Sequence, residues 1–490
     1  MATILQKTAW NVIFSSSFLF TVNKLIPQDI FIMQESSSLL GFLLTAFLAG
    51  FASIFMPCIY PIMPMTVSFF TKQSQGTSKA TFYGLSIMFV FGLIGLVATV
   101  FGAPFLNFIS THWIPNLIFF VIFIIFGISL LGAFEIVLPH NMVNNIDRMS
   151  EKGGLVGIFF MALTLVVVSF SCTAPFVGSL LIIAAKGEVW RPLWGMLAFG
   201  LPFGIVFTSL ALFPQWLKSL PKSGGWMNEM KAVFGILEFA LALKFLSNID
   251  LTYHFNYISR NLFLVIWIII FAAIGLYILG IIRLPKDAKI TKYNFARVSF
   301  ATLFLAFSAY MIPGVVQGKE LSLLSGLLPP KTLSAVIADG SKLRELPHDL
   351  RGFYDYDDAL AYSKEVGKPL FIDFTGYACA NCRKMEENVW IKPEVLEKLK
   401  NDFVIASLYV DDKKDLPKEK QYTSKYDDEL KTTVGDKNMD IEIMKYNNNA
   451  QPYYVIEDTS GKSIVKTPIG YSSKEDFIKF LEEGITNFKK

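Results

Sequence analysis

Four cysteines occur in the 490 residues, and their spacing divides them into two pairs with different surroundings. Cys379 and Cys382 form a Cys-x-x-Cys motif, whereas Cys58 and Cys172 each stand three residues before a proline within a long apolar run. Four cysteines are too few to form a disulfide scaffold for a chain of this length, so their placement indicates chemistry. Paired thiols exchange disulfides by thiolate attack, a reaction that needs no cofactor.

The Cys-x-x-Cys motif stands between a predicted strand and a predicted helix. An apolar strand over 370–374 is followed by a tight connection, and a helix is predicted from the motif to about residue 400. Backbone N–H groups and the dipole at a helix N-terminus favour an anion. We therefore expect Cys379 to have a lowered pKa and to be the attacking thiolate. Cys382, one turn further along, is placed to resolve the mixed disulfide.

Two cysteines with this spacing also occur as half of a zinc site. A second cysteine pair does not follow in the sequence, and His348 is the only histidine of the C-terminal region. Zinc is therefore disfavoured, and no metal is predicted.

The rest of the C-terminal region has the pattern of a small α/β domain. The predicted elements are a strand over 402–410, a hairpin of 453–457 and 463–467, and a helix over 473–488. Pro452 stands directly before the hairpin, and the Gln451–Pro452 bond could be cis. A cis proline would lie beside the Cys-x-x-Cys motif, where it would prevent metal binding and shape a substrate groove. The charged segment 411–450 is interpreted as a surface insertion with a solvated face and some helix near 438–446.

Composition indicates a polytopic membrane protein joined to a water-soluble region. The sequence is 53% hydrophobic and 15% aromatic, and its mean hydropathy of +0.47 is too high for a soluble globular protein. Residues 38–316 are mostly apolar, whereas residues 339–490 are rich in Lys, Asp and Glu. The net charge of +4 is spread along the chain, so no nucleic-acid partner is expected.

Eight apolar runs are long enough to cross a bilayer. They lie at about 38–70, 82–103, 113–134, 155–185, 193–213, 230–247, 261–282 and 297–316. The first and fourth runs are overlong and contain proline, so we expect them to be broken or re-entrant. The predicted domains are a targeting or anchor segment (1–37), a transmembrane electron-transfer domain (38–316), a linker (317–352) and a soluble domain (353–490).

Basic residues in the loops indicate the orientation of these helices. Loops after helices 1, 3, 5 and 7 carry most of the Lys and Arg residues, whereas loops after helices 2, 4 and 6 hold only Lys186, Arg191 and Arg260. By the positive-inside rule the first set is cytoplasmic. Eight spans then place the C-terminal domain on the far side, which in a bacterium is the periplasm, where thiol chemistry is expected.

Cys58 and Cys172 occupy matching positions in two groups of three predicted helices, at helices 1 and 4. Because three is odd, the two groups cross the membrane in opposite senses, as in inverted repeats whose site lies near the midplane on broken helices. A proline in a helix leaves backbone groups of the preceding turn without their hydrogen bonds. Within a membrane only protein or water can form those hydrogen bonds, so a hydrated or flexible cleft is expected around each cysteine. The helix-breaking prolines are Pro57, Pro61, Pro64 and Pro175.

The residues alone leave alternatives open in the membrane half. Most free cysteines are small buried hydrophobes, but the matched contexts of Cys58 and Cys172 favour a redox pair. Glu238 and Lys244 lie in the sixth predicted helix, where ionisable groups can face a functional cavity. The alternative is a structural polar contact, together with a lysine side chain that extends to the membrane interface.

Both pairs of cysteines and their order resemble the DsbD family of thiol:disulfide interchange proteins. Residues 368–390 look like the family's C-terminal thioredoxin-like domain, and residues 38–316 look like its transmembrane domain, which is related to the cytochrome c biogenesis protein CcdA. The resemblance implies a polytopic α-helical membrane domain followed by a soluble α/β thioredoxin-like domain. It also implies that Cys58 and Cys172 are the intramembrane redox pair.

The resemblance gives supporting roles to three residues near the motif. Asp373 matches the buried acid of the fold, Glu386 matches a second acid near the active site, and Pro452 matches the family's cis-proline. Both acids are expected to disfavour a nearby thiolate and to raise its pKa. The alternative for Glu386 is simple exposure on the helix.

The activity implied by the resemblance is a transmembrane disulfide reductase of the bacterial inner membrane. Cytoplasmic thioredoxin would reduce the intramembrane pair, which would then reduce Cys379–Cys382 on the periplasmic side. The expected acceptors are periplasmic thiol-disulfide or cytochrome c maturation proteins, so that the chain would serve disulfide reduction or isomerisation. Membrane lipid is the remaining expected partner.

One departure and three rival functions accompany this interpretation. DsbD proteins carry an N-terminal immunoglobulin-like domain with its own cysteine pair, whereas residues 1–37 contain no cysteine, so we expect a separate protein as final acceptor. The rivals are a soft-metal transporter, a quinone-linked thiol oxidase and a receptor whose thioredoxin-like domain only binds partners. The sequence shows no phosphate-binding loop or aspartyl-phosphate motif, and its intact Cys-x-x-Cys argues against a mere receptor.

Overall fold

The computed structural model describes residues 39–54, 77–133, 157–166, 169, 190–212, 224–284, 293, 295–330 and 342–489. The described residues belong to two compact units. The first unit draws on 1–106, 125–238 and 273–304, and the second draws on 107–124, 239–272 and 305–490. The second unit therefore combines the charged C-terminal region with parts of several apolar helices.

Apolar helices form the described part of residues 39–316. Their bounds are α1 Leu39–Ser53, α2 Thr77–Thr111, α3 Trp113–Leu130, α4 Gly157–Val166, α5 Arg191–Leu212, α6 Gly224–Thr252, α7 Arg260–Ile278 and α8 Phe295–Val316. Six of them, α2, α3 and α5 to α8, are long and apolar enough to cross a bilayer. They coincide with six predicted spans and confirm a polytopic helical domain. The shorter α1 and α4 begin the first and fourth predicted runs, whose remaining residues lie largely outside the described part.

Aromatic side chains form the core of the first unit. The centroid of the Phe91 ring lies 5.2 Å from that of Phe203 and 5.6 Å from that of Phe199, and all three residues are buried. Gly50 allows α1 and α5 to approach closely, because a Cβ at this position would lie 2.1 Å from the carbonyl oxygen of Phe199. Such close contact through small residues is how helices associate in lipid, where apolar burial gives little advantage.

A three-stranded mixed sheet organises the C-terminal region. The described strands are β1 Arg344–Leu346, β2 Leu350–Gly352, β3 Leu370–Thr375, β4 Val404–Tyr409, β5 Tyr422–Thr423, β6 Leu430–Lys431 and β7 Tyr453–Glu457. The order in the main sheet is β4-β3-β7, with β3 parallel to β4 and antiparallel to β7. Every residue of β3 is buried. This central strand, predicted from its apolar run, leads directly into the Cys-x-x-Cys motif.

Helices pack around this sheet and bury an aromatic core. They are α9 Tyr356–Val366, α10 Ala380–Met385, α11 Pro393–Asp402, α12 Val434–Tyr446 and α13 Lys474–Phe488. The ring of Phe371 in β3 contacts those of Trp390, Phe403, Tyr454 and Phe477. Each aromatic pair adds about 0.5–1.5 kcal/mol beyond the burial of area. The strand that carries the motif is thereby held firmly in place.

The prediction of one continuous helix from the motif to about residue 400 is wrong. The α10 helix ends at Met385, a π-helical turn spans Glu386–Trp390, and α11 starts at Pro393. Proline has no N–H and its ring clashes with the carbonyl of the preceding turn, so Pro393 disfavours continuation of the preceding helix. At the first position of a new helix the missing N–H has no consequence.

The second arm of the predicted hairpin, residues 463–467, is not a regular strand. Isolated bridges alone join this described segment and the residues after it to β7. The Asp458 carboxylate accepts hydrogen bonds from the N–H groups of Ser460 (2.8 Å) and Lys462 (3.0 Å) and closes a tight turn. Pro468 then has no N–H to contribute to a ladder, which explains why pairing does not propagate.

The charged segment 411–450 is only partly a solvated surface. As predicted, it contains a helix, α12, whose N-terminus is closed by a capping box of Thr433 and Asp436. Asp411 and Asp412, however, are buried. Buried carboxylates need donors, and a charge pattern does not reveal those donors. The interpretation as a solvated face is therefore wrong for these two residues.

Candidate active site

The Cys-x-x-Cys motif lies where β3 ends and α10 begins. Cys379 and Cys382 form a disulfide, with their Cα atoms 5.3 Å apart. Cys379 is the N-cap residue of α10, and the N–H of Cys382 donates a hydrogen bond to its sulfur over 3.1 Å. Cys382 is 1% exposed, whereas Cys379 is half-buried. The sulfur of Cys379 is therefore the one that an external thiol reaches first.

Asp411 holds the loop that precedes the motif. Its carboxylate accepts hydrogen bonds from the N–H groups of Tyr377 (2.8 Å) and Ala378 (2.9 Å). The ring of Tyr377 stacks on that of Tyr409 with centroids 4.0 Å apart. Burial raises the pKa of Asp411, and the two hydrogen bonds oppose that rise. The position of Cys379 thus depends on an acid in the turn that follows β4.

Sequence reasoning misses Asp411 because it begins the charged segment 411–450. A signal is nevertheless present, since two consecutive acids follow the apolar strand β4 directly. The carboxyl ends of parallel neighbours meet at one edge of a sheet, and β4 is the parallel neighbour of β3. An acid directly after β4 is therefore close to a motif directly after β3.

Replacement of Asp411 by alanine is expected to destabilise the domain by about 1–3 kcal/mol, because two buried backbone donors lose their acceptor. Asp411→Asn keeps one oxygen and should lose less. Denaturant-dependent hydrogen exchange of the β3 amides measures the stability of this domain within the full chain. Asp402→Ala, at an exposed position, is the matched control, and equal losses in the two variants would contradict the role of Asp411.

The two acids predicted to support the motif are both buried. Asp373 in β3 is 2% exposed and accepts a hydrogen bond from the Ser407 hydroxyl over 3.1 Å. Burial raises the pKa of Asp373 to about 7, although the charge of Arg383 opposes the rise. Glu386 is 5% exposed, so its interpretation as an exposed helix residue is wrong. Burial raises the pKa of Glu386 to about 8, with Arg383 opposing and Asp373 reinforcing the rise.

Arg383 completes this buried cluster and is a second residue that sequence reasoning misses. It follows Cys382 directly and is 2% exposed. One guanidinium nitrogen, Nη1, lies 2.6 Å from Oε2 of Glu386, and Nη2 donates a hydrogen bond to Oγ1 of Thr375 over 3.1 Å. An arginine on a short helix is normally expected to face water. The π-helical turn that carries Glu386 inward is not readable from the local sequence.

Because the pKa values of both acids are raised, the domain is expected to lose stability as the pH rises. In the unfolded chain carboxyl groups release their protons near their usual pKa of about 4. In the folded chain the protons remain until about pH 7 on Asp373 and about pH 8 on Glu386. Between these limits the folded state binds more protons, so the free energy of unfolding falls with rising pH and levels off above the upper limit.

Asp373→Asn tests this pH dependence, because it removes one of the two titrating groups. For one full proton the slope is about 1.4 kcal/mol per pH unit. The variant should therefore show a flatter fall between about pH 5 and pH 7 than the unchanged protein. Hydrogen exchange of the β3 amides at a series of pH values is the measurement. Parallel curves for the two proteins would show that Asp373 does not hold its proton as described.

The Gln451–Pro452 peptide bond is cis, as predicted. Pro452 is buried and stands immediately before β7, the strand that pairs with β3. Its roles in excluding metal and shaping a groove stay predictions. In the part of the chain that the structure describes, no group of three or more His, Cys, Asp or Glu residues is arranged to hold a metal ion.

The membrane cysteines and their prolines fall outside the described residues. These positions are Cys58, Cys172, Pro57, Pro61, Pro64 and Pro175. Their pairing stays a prediction. On α6, Glu238 is 1% exposed, and neither of its carboxylate oxygens has a hydrogen-bond partner among the described residues. Lys244 on the same helix is half-buried.

Comparison with known families assigns a class to each half of the chain. Residues 39–250 match the family described as the cytochrome C biogenesis protein transmembrane domain, and residues 356–485 match the thioredoxin-like domain family. The chain is thus a membrane protein that joins these two domains. It is 28% identical over 373 residues to the thiol:disulfide interchange protein DsbD 1 of Pseudomonas aeruginosa and 27% identical over 393 residues to the DsbD of Pseudomonas fluorescens. In both halves the chain is therefore similar to the DsbD family of thiol:disulfide interchange proteins.

These alignments cover most of the chain but less of each relative. They span 73% and 77% of this chain, and 59% and 62% of the two Pseudomonas proteins. The DsbD of Colwellia psychrerythraea is 31% identical over 219 residues, which is 43% of this chain and 36% of that protein. The chain thus spans less than two thirds of the length of each of these relatives.

Proposed function

We propose that the chain is a protein-disulfide reductase that passes reducing equivalents across a membrane to the Cys379–Cys382 disulfide. The observation that carries the proposal is this disulfide, which joins an accessible and a buried cysteine at the start of a helix. The curated relatives are named thiol:disulfide interchange proteins, which supports the same class of reaction. Thiolate attack accounts for every step, so no cofactor is proposed.

Reduction of the domain takes two thiol–disulfide exchanges. An incoming thiolate attacks the sulfur of Cys379, the Cys379–Cys382 bond breaks, and its electron pair leaves on Cys382. The donor's second thiol then attacks the mixed disulfide, so the donor pair becomes a disulfide and the domain becomes a dithiol. The thiolate of Cys379 then attacks a client disulfide, whose S–S bond breaks with its electron pair leaving on the client's second sulfur. Cys382 attacks the resulting mixed disulfide, which releases the client as a dithiol and reforms the Cys379–Cys382 bond.

Asp373 and Glu386 are proposed to hold the protons that these exchanges release and consume. Their pKa values of about 7 and about 8 let each carboxyl group change its protonation state near neutral pH. When ionised, they disfavour a thiolate nearby and keep the reduced pair protonated. Pro452 is proposed to border the client groove beside them.

Cys58 and Cys172 are the proposed donor pair. The matched transmembrane family spans residues 39–250 and so includes both cysteines, and their Cys-x-x-Pro contexts support a symmetric site on broken helices. Cytoplasmic thioredoxin is proposed to reduce this pair. Periplasmic thiol-disulfide proteins and cytochrome c maturation proteins are the proposed acceptors of the reducing equivalents.

The chain is a multi-pass membrane protein, and we propose that its C-terminal domain lies in the periplasm of a bacterium. The loop after α6 belongs to the set predicted to face outward. Within the second unit, the carbonyl oxygen of Thr252 at the end of α6 accepts a hydrogen bond from the N–H of Lys413 over 3.0 Å. His254 in this loop contacts Asp412 at 2.7 Å. Both contacts support a domain on the outward side.

Thiol trapping in cells tests this function. In the unchanged protein Cys379 and Cys382 are expected to be largely reduced, and in Cys58→Ala or Cys172→Ala they are expected to be oxidised. Ser53→Ala, which also shortens a small buried side chain in the membrane domain, is the matched control and should resemble the unchanged protein. If the pair stays reduced in both cysteine variants, reducing equivalents do not pass through the membrane cysteines.

The same assay separates the rival functions. Loss of cytoplasmic thioredoxin should oxidise Cys379 and Cys382 if the proposed direction is correct. For a quinone-linked thiol oxidase, the Cys58→Ala change would instead leave these cysteines more reduced. A metal-dependent growth defect with an unchanged thiol state would favour a soft-metal transporter.

A further inference from the structure

Residues outside the thioredoxin-like domain surround its Cys-x-x-Cys motif. They come from two segments of the second unit, the end of α6 with the following loop to Arg260, and the segment from Glu320 to Pro330. We call them together the docking surface. The residues of this surface that contact the domain are Leu251, Thr252, His254, Arg260, Ser325 and Gly326.

The first side of the docking surface contacts the residues that precede the motif. Nε2 of His254 lies 2.7 Å from Oδ1 of Asp412, and the His254 ring meets the ring of Tyr377 edge-on at 5.2 Å between centroids. Leu251 is buried against Tyr377 and Tyr409. Tyr377 stands two residues before Cys379, so this side of the surface reaches the loop that positions the accessible sulfur.

The second side contacts the motif itself and the turn after it. Gly326 has φ of +87°, and a Cβ there would lie 2.7 Å from the carbonyl oxygen of Ala380, which stands between the two cysteines. The side-chain amide of Asn388 donates a hydrogen bond to the Ser325 hydroxyl over 3.1 Å. The glycine is therefore required both by its backbone conformation and by the close approach of the two backbones.

An ion pair between Arg260 and Glu387 connects the two sides. The guanidinium nitrogen Nη1 of Arg260 donates to Oε1 of Glu387 over 3.0 Å and to the carbonyl oxygen of Pro329 over 2.8 Å. The two side chains are 9% and 8% exposed, so both charges are withdrawn from water. Removal of one partner from such a pair leaves a buried charge without compensation, which strongly disfavours the contact.

We propose that the docking surface holds the oxidised thioredoxin-like domain for reduction by the membrane domain and partly blocks the same motif to protein clients. A client that forms a mixed disulfide with Cys379 must approach the chain around it, and the docking surface already contacts that chain at Tyr377 and Ala380. Docking therefore competes with client reduction, and the domain leaves the surface in each cycle. The effect on transmembrane reduction rests on the proposed function above, whereas the docking contact itself does not.

Charge reversal at the ion pair tests the proposal in the full-length protein in proteoliposomes. Arg260→Glu and Glu387→Arg each place like charges together, and the double variant restores an opposite pair. Lys398→Glu is the matched control, because it reverses a charge in the more exposed Lys398–Glu482 pair of the same domain. Two rates are measured on protein whose C-terminal domain faces outward. The first is the reduction of Cys379–Cys382 by reduced thioredoxin enclosed in the vesicles, and the second is the reduction of external insulin disulfides after prior reduction of the protein with dithiothreitol.

Each single reversal is expected to slow the first rate by about tenfold or more and to speed the second. The double variant should recover both rates, and the control should change neither. Unchanged rates in both single variants, or a slowing of both rates without recovery in the double variant, would overturn the proposal.

Hydrogen exchange of the Lys413 amide separates failure of docking from failure of the proposed function. This amide donates to the carbonyl oxygen of Thr252 across the docking surface, so it should exchange faster in each single reversal even if no reducing equivalents cross the membrane. If the unchanged protein shows no transmembrane reduction, the proposed function fails while this measurement still decides the docking. Equal protection in all variants would show that the domain is not held by this ion pair.

Discussion

Cys382→Ala is expected to abolish turnover and to leave Cys379 joined to its partners in stable mixed disulfides. The sulfur of Cys379 is accessible and still attacks a disulfide, but the variant lacks the thiol that would resolve the product. Non-reducing electrophoresis with mass spectrometry of the adducts measures the outcome and identifies the partner proteins. The same adducts should dissociate on treatment with dithiothreitol.

Cys379→Ala provides the opposite control for that experiment. It also loses turnover and the disulfide, but its remaining thiol at Cys382 belongs to a residue that is 1% exposed. Few adducts are therefore expected. If Cys379→Ala collected as many adducts as Cys382→Ala, the assignment of Cys379 as the attacking residue would be wrong.

The second large effect is expected at Arg383, where removal of the buried guanidinium should destabilise the domain by about 3–5 kcal/mol above about pH 8, where Glu386 is ionised. Arg383→Met preserves much of the side-chain volume but leaves Glu386 without the charge that lies 2.6 Å away. That charge opposes the rise in the pKa of Glu386, so the carboxyl group should hold its proton to higher pH in the variant. Denaturant-dependent exchange of the β3 amides measures the loss of stability.

A double variant separates the ion pair from simple packing around Arg383. Arg383→Met with Glu386→Gln removes both charges, so it should be more stable than Arg383→Met alone. Alkylation of the reduced Cys379 thiol as a function of pH adds a chemical readout, because loss of a nearby cation should shift its titration to higher pH. Equal stability of the single and double variants would show that the charge pair contributes little.

Local patterns were sufficient for the parts of the site that are contiguous in sequence. The apolar run of β3 and the Cys-x-x-Cys after it define a strand followed by a helix start, and the structure places both there. The burial of Asp373 follows from its place inside this run. The cis-proline was predicted from its position before a strand, together with the resemblance to the DsbD family.

The missed parts of the site depend on contacts between distant residues. Asp411 acts on the motif only because β4 is the parallel neighbour of β3. Arg383 is buried beside Glu386, where a π-helical turn begins, and a one-residue expansion of a helix has no simple signature in residue types. The contact of Gly326 with Ala380 joins segments that no periodicity relates.

In the membrane half, hydropathy predicts the long spanning helices but not the arrangement of the first and fourth runs. Long apolar runs predicted the six helices that are long enough to span a bilayer, because twenty or so apolar residues have few alternatives in lipid. Most residues of the first and fourth predicted runs after α1 and α4 lie outside the described residues. The pairing of Cys58 and Cys172 therefore stays a prediction from the sequence pattern, the repeat symmetry and the resemblance to the DsbD family.

Contacts across the docking surface also affect the cysteine properties that would be measured on a soluble fragment of the C-terminal domain. A fragment that begins after residue 341 lacks His254 and Arg260, the cationic or hydrogen-bonding partners of Asp412 and Glu387. Both carboxylates flank the motif, so the excised domain carries more uncompensated negative charge around its cysteines than the intact chain does. Negative charge favours the thiol over the thiolate. Cysteine reactivities and reduction potentials measured on such a fragment therefore describe the released domain and differ from those of the domain held at the membrane.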